Sequence, residues 1–276
     1  MLRLAQGDDR GFFAEDGPAW TVHAGIPTLV AGIRALLLQA LHPGAMAGVH
    51  DWSRYRDDPL GRLSGTVRWV ISLTFGSRDQ VDAELARVRR FHEPVRGEYA
   101  DAEGVTRAYS AEDAELVEWV HLAFTDAFLT AHGTWGGPVP GGLDAYVADW
   151  ATAGRLMGVV DPPESVADVH GRMATLRDAG TLRGGERVDD VVRFLRDVPL
   201  EGSLRLGYRI LFEGAVATIP REYRRLLGVR RSWLPVVTAT RLVLRFAERG
   251  LGSGPRAHDM ARQRLRRLDA AAPQPR

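Results

Sequence analysis

A histidine with arginines on both sides is the first feature of this chain that could support chemistry. His92 lies within residues 89–97, where the pattern predicts the last turn of a helix, and Pro94 stops that helix. A neutral imidazole at a helix end can hold a metal, and nearby arginines such as Arg96 can anchor an acidic cofactor. The alternative is a histidine that only interacts with the helix dipole. This stretch alone leaves both interpretations open.

A pair of polar residues, Arg62 and Thr66, precedes the His92 segment in the sequence. Asp58-Pro59 is a strong helix start, and the predicted helix runs to about Phe75. Arg62 and Thr66 are four residues apart in this helix, so they share a face that continues as an apolar stripe. That arrangement indicates a face lining a pocket. A surface arginine with a threonine at the margin of the core is the alternative.

Three more polar residues occur in otherwise apolar helices. Gln39 and His42 lie three apart at the end of a predicted buried helix, where they serve either a cofactor or a local network at the kink before Pro43. His121 follows Glu118 with the E-x-x-H spacing of carboxylate-bridged di-iron bundles. Such a site needs two of these pairs and further glutamates, and the sequence has one, so the pattern disfavours di-iron.

The other histidines receive no role from the sequence because they lie in polar or loop surroundings. These are His23, His132, His170 and His258.

Several classes of site are excluded. The chain has no cysteine, which rules out disulfides, zinc–thiolate sites, iron–sulfur clusters and thiolate-ligated or covalently attached haem. It also lacks a phosphate-binding P-loop, a G-x-S-x-G nucleophile turn and an H-E-x-x-H metal motif.

The elements that must position these residues are helices. Residues 27–41 are apolar on nearly every side, which predicts a buried helix, and Ser77 and Gln80 form a capping box for the helix that leads to His92. A helix is expected at 162–179, with Asp161 as its cap. Few stretches alternate with period two. The sequence therefore predicts an all-α fold, with a single helical domain after an irregular arm at residues 1–25.

Charge is distributed unevenly along the chain. From Arg221 onward there are 14 arginines and 4 acidic residues, whereas the rest of the chain is acidic overall. We expect this basic segment to pack on the acidic body rather than on nucleic acid. No apolar stretch is free of polar interruptions, so stable membrane insertion is not expected, and the chain is predicted to be cytoplasmic.

Several motifs together resemble one known family. They are LLQALHPGAMAGV at 37–49, SRYR at 53–56, PLGRLSGT at 59–66, FG at 75–76, FHEPVRG at 91–97, YSAED at 109–113, WVH at 119–121 and LMG at 156–158. Their order and spacing are similar to the catalytic domain of rubber oxygenases (latex-clearing proteins), a family that includes the fungal oxygenase of mycophenolic acid biosynthesis.

The resemblance implies an all-helical fold around one haem b and oxidative chemistry with O2. It assigns the proximal haem ligand to His92 and the polar residues of the distal pocket to Arg62 and Thr66. A lysine that can cap the iron in rubber oxygenases falls on Gly65, and this chain has no lysine at all.

We therefore expect a haem b-dependent oxygenase acting with O2 on a small apolar or alkene-bearing substrate, with oxidative cleavage of a carbon–carbon double bond as one outcome. The iron is held by His92. Arg62 and Thr66 position oxygen, and Arg62, Arg96, Gln39, His42 and His121 contribute to the cofactor environment. The catalytic domain is expected at 26–230, with residues 231–276 forming basic helices on the same domain. A haem-binding sensor or carrier without turnover is the alternative.

Overall fold

The chain folds mainly into helices. The computed structural model describes residues 3–52, 59–101, 103–250 and 256–271, and for residues 59–64 it describes the backbone only. Within these ranges there are thirteen helices: α1 (Pro18–Ala24), α2 (Thr28–Gln39), α3 (Pro43–Trp52), α4 (Pro59–Phe75), α5 (Arg78–His92), α6 (Ala114–Trp135), α7 (Gly142–Met157), α8 (Val166–Asp178), α9 (Glu186–Arg196), α10 (Gly202–Thr218), α11 (Arg221–Leu226), α12 (Val236–Gly250) and α13 (Ala257–Ala271). The expected all-α fold is confirmed.

The core is built around α2 and α6, which pack along one another. In α2 the side chains of Ala35, Leu37 and Leu38 are fully buried, as the continuous apolar pattern predicts. α6 spans 22 residues and is buried over most of its length. α1, α7, α8 and α10 surround this pair, so α6 connects most of the other elements.

A serine side chain caps the start of α5 and of α8. At α5 the Ser77 side chain accepts from the Gln80 backbone N–H while the Gln80 side chain accepts from the Ser77 N–H, which confirms the capping box. The expected start of α8 at Asp161-Pro162 is wrong. The helix begins at Val166 with Ser165 as its cap, because the Asp161 carboxylate instead binds Arg172 at 2.9 Å.

A small β-hairpin is present in addition to the helices that the sequence predicts. β1 (Arg96–Ala100) pairs antiparallel with β2 (Thr106–Ser110), and Asp101 closes the turn by accepting from the backbone N–H of Val105 at 2.8 Å. Both strands are mostly exposed, and Tyr109 is the buried residue that ties the hairpin to the body. Since α5 ends at His92 and β1 begins at Arg96, the hairpin follows His92 closely in the sequence.

The two ends of the chain meet. The first helix begins at Pro18, earlier than the end of the expected irregular arm at residue 25. α13 packs on α1 and α4, and Arg262 forms an ion pair with Asp16 at 2.6 Å. Arg264 is fully buried and donates to the carbonyl of Leu4 at 3.2 Å. This part of the basic segment lies on the acidic N-terminal region.

In the described ranges, no single helix has the length and apolar character needed to cross a bilayer. The pair α1 and α2 passes a test of length and composition only when taken together, and it is bent by 96°.

Candidate functional site

The helices that carry Arg62, Thr66 and His92 pack against each other in opposite directions. Glu84 of α5 accepts from Arg68 of α4 at 3.0 Å and from Arg87 of α5 at 2.9 Å, and Arg87 also reaches the carbonyl of Gly65 at 3.5 Å. Because residues 65 and 87 are adjacent across this antiparallel pair, the end of α5 lies beside the beginning of α4. We call this region the His92 end of the bundle.

His92 is half-buried in the last turn of α5. Its carbonyl accepts from the N–H of Val95 at 2.8 Å, which ends the helix before the hairpin. The neighbouring Phe91 is 62% exposed, with the Arg87 guanidinium 5.3 Å from its ring centroid. Arg96 is exposed at the start of β1. An imidazole, an apolar ring and the exposed Arg96 thus lie within a few residues of each other in the sequence.

The face predicted for Arg62 and Thr66 turns toward the interior as α4 proceeds. Thr66 and Trp69 are half-buried, and Leu73, one turn further on, is fully buried. Arg62 lies in the first turns of α4, and its side chain is outside the described part of the structure.

Aromatic contacts fix α4 against α6 and α7. The Trp69 ring is 5.8 Å from the Phe124 ring of α6 and 6.1 Å from the Trp150 ring of α7. Further along α4, Thr74 bonds His23, whose ring lies 4.8 Å from that of Phe128. α4 and α6 therefore run in the same direction.

His121 lies at this same end. His121 lies three residues before Phe124 on α6, and Thr66 lies three residues before Trp69 on α4. Because Trp69 contacts Phe124 and the two helices are parallel, His121 and Thr66 lie at a similar level along the helix axes. Gly154 of α7 packs closely against His121. A Cβ at position 154 would stand 2.9 Å from the His121 Nε2 atom. The structure thus places Thr66 and His121 at a similar level on α4 and α6, whereas His92 lies opposite the first turn of α4, about six residues further along the helix pair.

The His121 side chain is buried and electrically neutral. Burial lowers its pKa to about 4, and the nearby charge of Arg172 acts in the same direction. Its Nε2 atom has no hydrogen-bond partner among the described residues. Glu118 does not pair with it, since that carboxylate binds Arg172 at 3.1 Å. Within the described ranges no group of three or more histidine, aspartate or glutamate side chains could hold a metal.

Gln39 and His42 occupy a different location, the turn between α2 and α3. His42 is fully buried, with its Nε2 atom 3.3 Å from the Glu115 carboxylate, and burial lowers its pKa against the opposing effect of Glu115. The Gln39 carbonyl accepts from the Trp119 indole at 3.2 Å. These contacts form a local network, one of the two alternatives that the sequence left open.

Two cavities lie between this turn and the hairpin. The larger, of about 540 Å³, is bounded by Pro43, Met46 and Tyr99, and the smaller, of about 270 Å³, includes His42 and Glu115 in its wall. Neither wall contains His92, Thr66 or His121. The residues predicted to do chemistry therefore lie on α4, α5 and α6, outside these two cavities.

The prediction that His23 and His132 lie in polar or loop surroundings is wrong for both, since His132 is buried in α6 and His23 in α1. The two ring nitrogens of His23 bond Thr74 at 2.7 Å and Tyr146 at 3.1 Å. Burial lowers its pKa to about 3, with a smaller contribution from His132. Its satisfied hydrogen bonds identify it as a structural residue, and no spacing in the sequence indicates partners 51 and 123 residues away.

The chain supplies residues of the types that hold a haem. Such a group needs an imidazole ligand, an apolar wall and cations for its carboxylates. The imidazole is that of His92, the apolar rings are those of the Trp69–Phe124 pair, and the exposed cation is Arg96. Buried polar atoms are nearly always satisfied, yet Nε1 of Trp69 and Nε2 of His121 lack partners in the described part of the chain. Eight other buried side-chain atoms in different parts of the described chain also lack partners, so these two atoms alone do not identify a ligand site.

The fold defines a mostly α-helical single-domain protein. Residues 20–268 match the family described as ER-bound oxygenase mpaB/B'/Rubber oxygenase, catalytic domain, and the chain belongs to this family. The resemblance seen in the sequence is confirmed, and membership supports an oxygenase role. No curated protein and no solved structure is similar enough to the chain to count as a match.

Proposed function

We propose that this protein is a haem b-dependent oxygenase that uses O2 on a small apolar or alkene-bearing substrate. The observation that carries the proposal is the antiparallel packing of α4 and α5, fixed by Glu84 between Arg68 and Arg87. This packing puts the His92 end of α5 beside the turns of α4 that begin with Arg62 and Thr66. Membership of an oxygenase family supports the same conclusion.

His92 is the residue proposed to hold the haem, and Arg96 is proposed to pair with a carboxylate of the group. When bound, haem supplies an iron centre that activates O2. Cysteine ligation is not an option in a chain without cysteine. This leaves a non-covalent haem b as the form of the cofactor.

Arg62 and Thr66 are proposed to donate hydrogen bonds to oxygen that becomes negatively charged during the reaction. Fixed donors of this kind are often a large contribution to catalysis. His121 stays uncharged near neutral pH, since burial lowers its pKa to about 4, and its free Nε2 atom can accept a hydrogen bond. The Trp69 and Phe124 rings exclude water from this end of the bundle.

The apolar substrate is proposed from the same surroundings. Val67 and Phe91, next to Thr66 and His92, are 46% and 62% exposed. Apolar side chains beside a reactive centre favour an apolar ligand, with a few polar groups setting its orientation.

Spectroscopy and O2 uptake test the proposal in two steps. The purified protein should show a Soret band, and acid–acetone should extract the colour. A colourless protein that also fails to bind added hemin would contradict the cofactor assignment. The haem-loaded, reduced protein should then consume O2 with an open-chain isoprenoid alkene and incorporate ¹⁸O from labelled O2 into carbonyl products. Haem binding without such turnover would favour the sensor or carrier alternative.

A further inference from the structure

The outer face of the α10–α12 pair is apolar and uncovered. Leu206 on α10 is 65% exposed, and on α12 Leu242 is 50% and Phe246 69% exposed. Trp233, just before α12, is 92% exposed. A single exposed apolar residue is ordinary, but several on one helix pair indicate an interaction surface.

These side chains belong to one surface because of how the two helices pack. The Thr240 hydroxyl donates to the Ile210 carbonyl at 3.1 Å, and a Cβ on Gly207 would lie 3.8 Å from Val243. α10 and α12 are therefore antiparallel, with Leu206 level with the second half of α12. Val236, Thr240 and Leu244 form the buried stripe of α12, so Leu242 and Phe246, four residues apart, lie away from the core.

A row of arginines borders this apolar stripe. Arg241, Arg245 and Arg249 are spaced four apart and are all exposed, so they line one side of the outer face of α12. Arg241 donates to the Thr134 carbonyl at 3.1 Å, whereas Arg245 and Arg249 form no ion pair or hydrogen bond in the described ranges. Residues 230–249 contain five arginines and one acidic residue, Glu248. The surface is both apolar and strongly cationic.

We propose that this α10–α12 face docks the protein on the surface of a bilayer that contains anionic phospholipids. Apolar side chains that enter the headgroup region beside arginines that reach the phosphates are the arrangement of interfacial amphipathic helices. Trp233 adds the residue type that is enriched at membrane–water interfaces. The docking is peripheral, so it requires no helix long enough to span the membrane.

Charge favours a bilayer over a second copy of the chain. A symmetric dimer through this face would bring the arginine row of each copy against the same face of its partner. Like charges juxtaposed at an interface oppose association. Anionic headgroups, by contrast, complement the arginines and leave the apolar stripe to enter the interface. Duplex DNA matches the arginines but provides nothing for Leu242 and Phe246.

Vesicle sedimentation of the full-length protein tests the proposal without substrate, so the result is independent of the haem assignment. The protein should sediment with phosphatidylcholine vesicles that contain phosphatidylglycerol, less with phosphatidylcholine alone, and less with rising salt. Leu242→Ser with Phe246→Ser should lower the partition coefficient about tenfold or more. Arg245→Gln with Arg249→Gln should lower it by about fivefold per arginine.

Matched variants separate this face from general surface effects. Val160→Ser removes a side chain that is 92% exposed between α7 and α8, and Arg266→Gln removes an exposed arginine of α13. Both should leave vesicle binding unchanged. All substituted side chains are largely exposed, and far-UV circular dichroism checks that each variant is folded.

Four outcomes would overturn the proposal. They are the absence of binding to anionic vesicles, equal binding to neutral vesicles, loss of binding in the Val160 or Arg266 controls, and salt-sensitive retention on duplex DNA in place of vesicle binding. A dimer in light scattering that Phe246→Ser dissociates, without vesicle binding, would assign the face to a second copy instead.

Discussion

The imidazole of His121 lies directly over Gly154, so close that a Cβ on the glycine would stand 2.9 Å from Nε2 of the histidine. The same Cβ would also meet the Pro162 side chain at 2.9 Å. Gly154 is a helical residue of α7, and glycine inside a helix normally weakens it. Close packing of α7 on α6 is therefore the reason for glycine at this position.

Gly154→Ala should destabilise the protein although alanine is the better helix former. Overpacking of a core typically costs about 1–3 kcal/mol, which exceeds the roughly 1 kcal/mol that alanine contributes to a helix. Urea unfolding measures the difference. Gly171→Ala in α8 is the matched control, since a Cβ there would have no atom within 4 Å. It should be neutral or slightly stabilising, and equal effects of the two substitutions would refute the packing argument.

The neutral state of His121 predicts how stability depends on pH. Its pKa is lowered from 6.5 to about 4 by burial. Between these values the unfolded chain binds a proton that the folded protein does not, so the free energy of unfolding falls as the pH is lowered through this window. His121→Gln should reduce that slope by about 1.4 kcal/mol per pH unit, measured by urea unfolding at several pH values.

His170 provides a control of opposite sign. The Asp126 carboxylate, 3.3 Å away, raises the pKa of His170. This interaction stabilises the folded protein below pH 6.5 and is lost as the pH rises through the folded-state pKa. His170→Gln should therefore lower the free energy of unfolding below pH 6.5 by a constant amount and remove the gain in stability that occurs as the pH falls from the folded-state pKa of His170 to 6.5. A variant that keeps this gain would contradict the assignment.

Arg34 of α2 and Asp126 of α6 form an ion pair in the core, with side chains only 1% and 5% exposed. Removing Asp126 leaves the Arg34 guanidinium buried without a countercharge, with only the Thr218 carbonyl at 3.4 Å as an acceptor. Asp126→Ala should cost about 3–5 kcal/mol in the free energy of unfolding. Arg193→Ala, which breaks an exposed pair with Asp190 on α9, should cost about 0.5 kcal/mol or less. Replacing both Arg34 and Asp126 by leucine should recover much of the loss, and a double variant no better than Asp126→Ala would argue against this account.

The local parts of the fold could be predicted from the sequence, since short-range chemistry determines them. The Ser77–Gln80 capping box and the apolar pattern of α2 are examples. The hairpin could not, because its strands are mostly exposed and depend on the burial of Tyr109 rather than on an alternating apolar pattern.

Pairings between residues far apart in the sequence could not be predicted either. Arg34 meets Asp126 across 92 residues, and His42 meets Glu115 across 73. Neither separation has a local signature. Thr66 and His121 lie at a similar level along their helices because Trp69 packs against Phe124. This contact is part of the tertiary structure and has no signature in the sequence.

The last prediction separates the residue proposed to hold haem from those proposed to act on oxygen. His92→Ala should lose haem, because its imidazole is the proposed bond to the iron. Arg62→Ala and Thr66→Ala should retain the Soret band and lose about a hundred- to a thousand-fold in the rate of O2 consumption, the cost of removing one fixed donor to developing charge. Thr66→Ser, which keeps the hydroxyl, should restore most of the rate.

Spectral titration with hemin and O2 uptake should be measured on every variant, with His42→Ala and His121→Ala included for comparison. His42 has a partner in Glu115 and lies in the wall of a different cavity, so its loss should leave the Soret band in place. His121→Ala should also retain haem, because His121 is proposed as an uncharged acceptor and not as the ligand. If either of these variants loses haem while His92→Ala keeps the band unchanged, the assignment of His92 is wrong, although the helical fold and the family assignment stand.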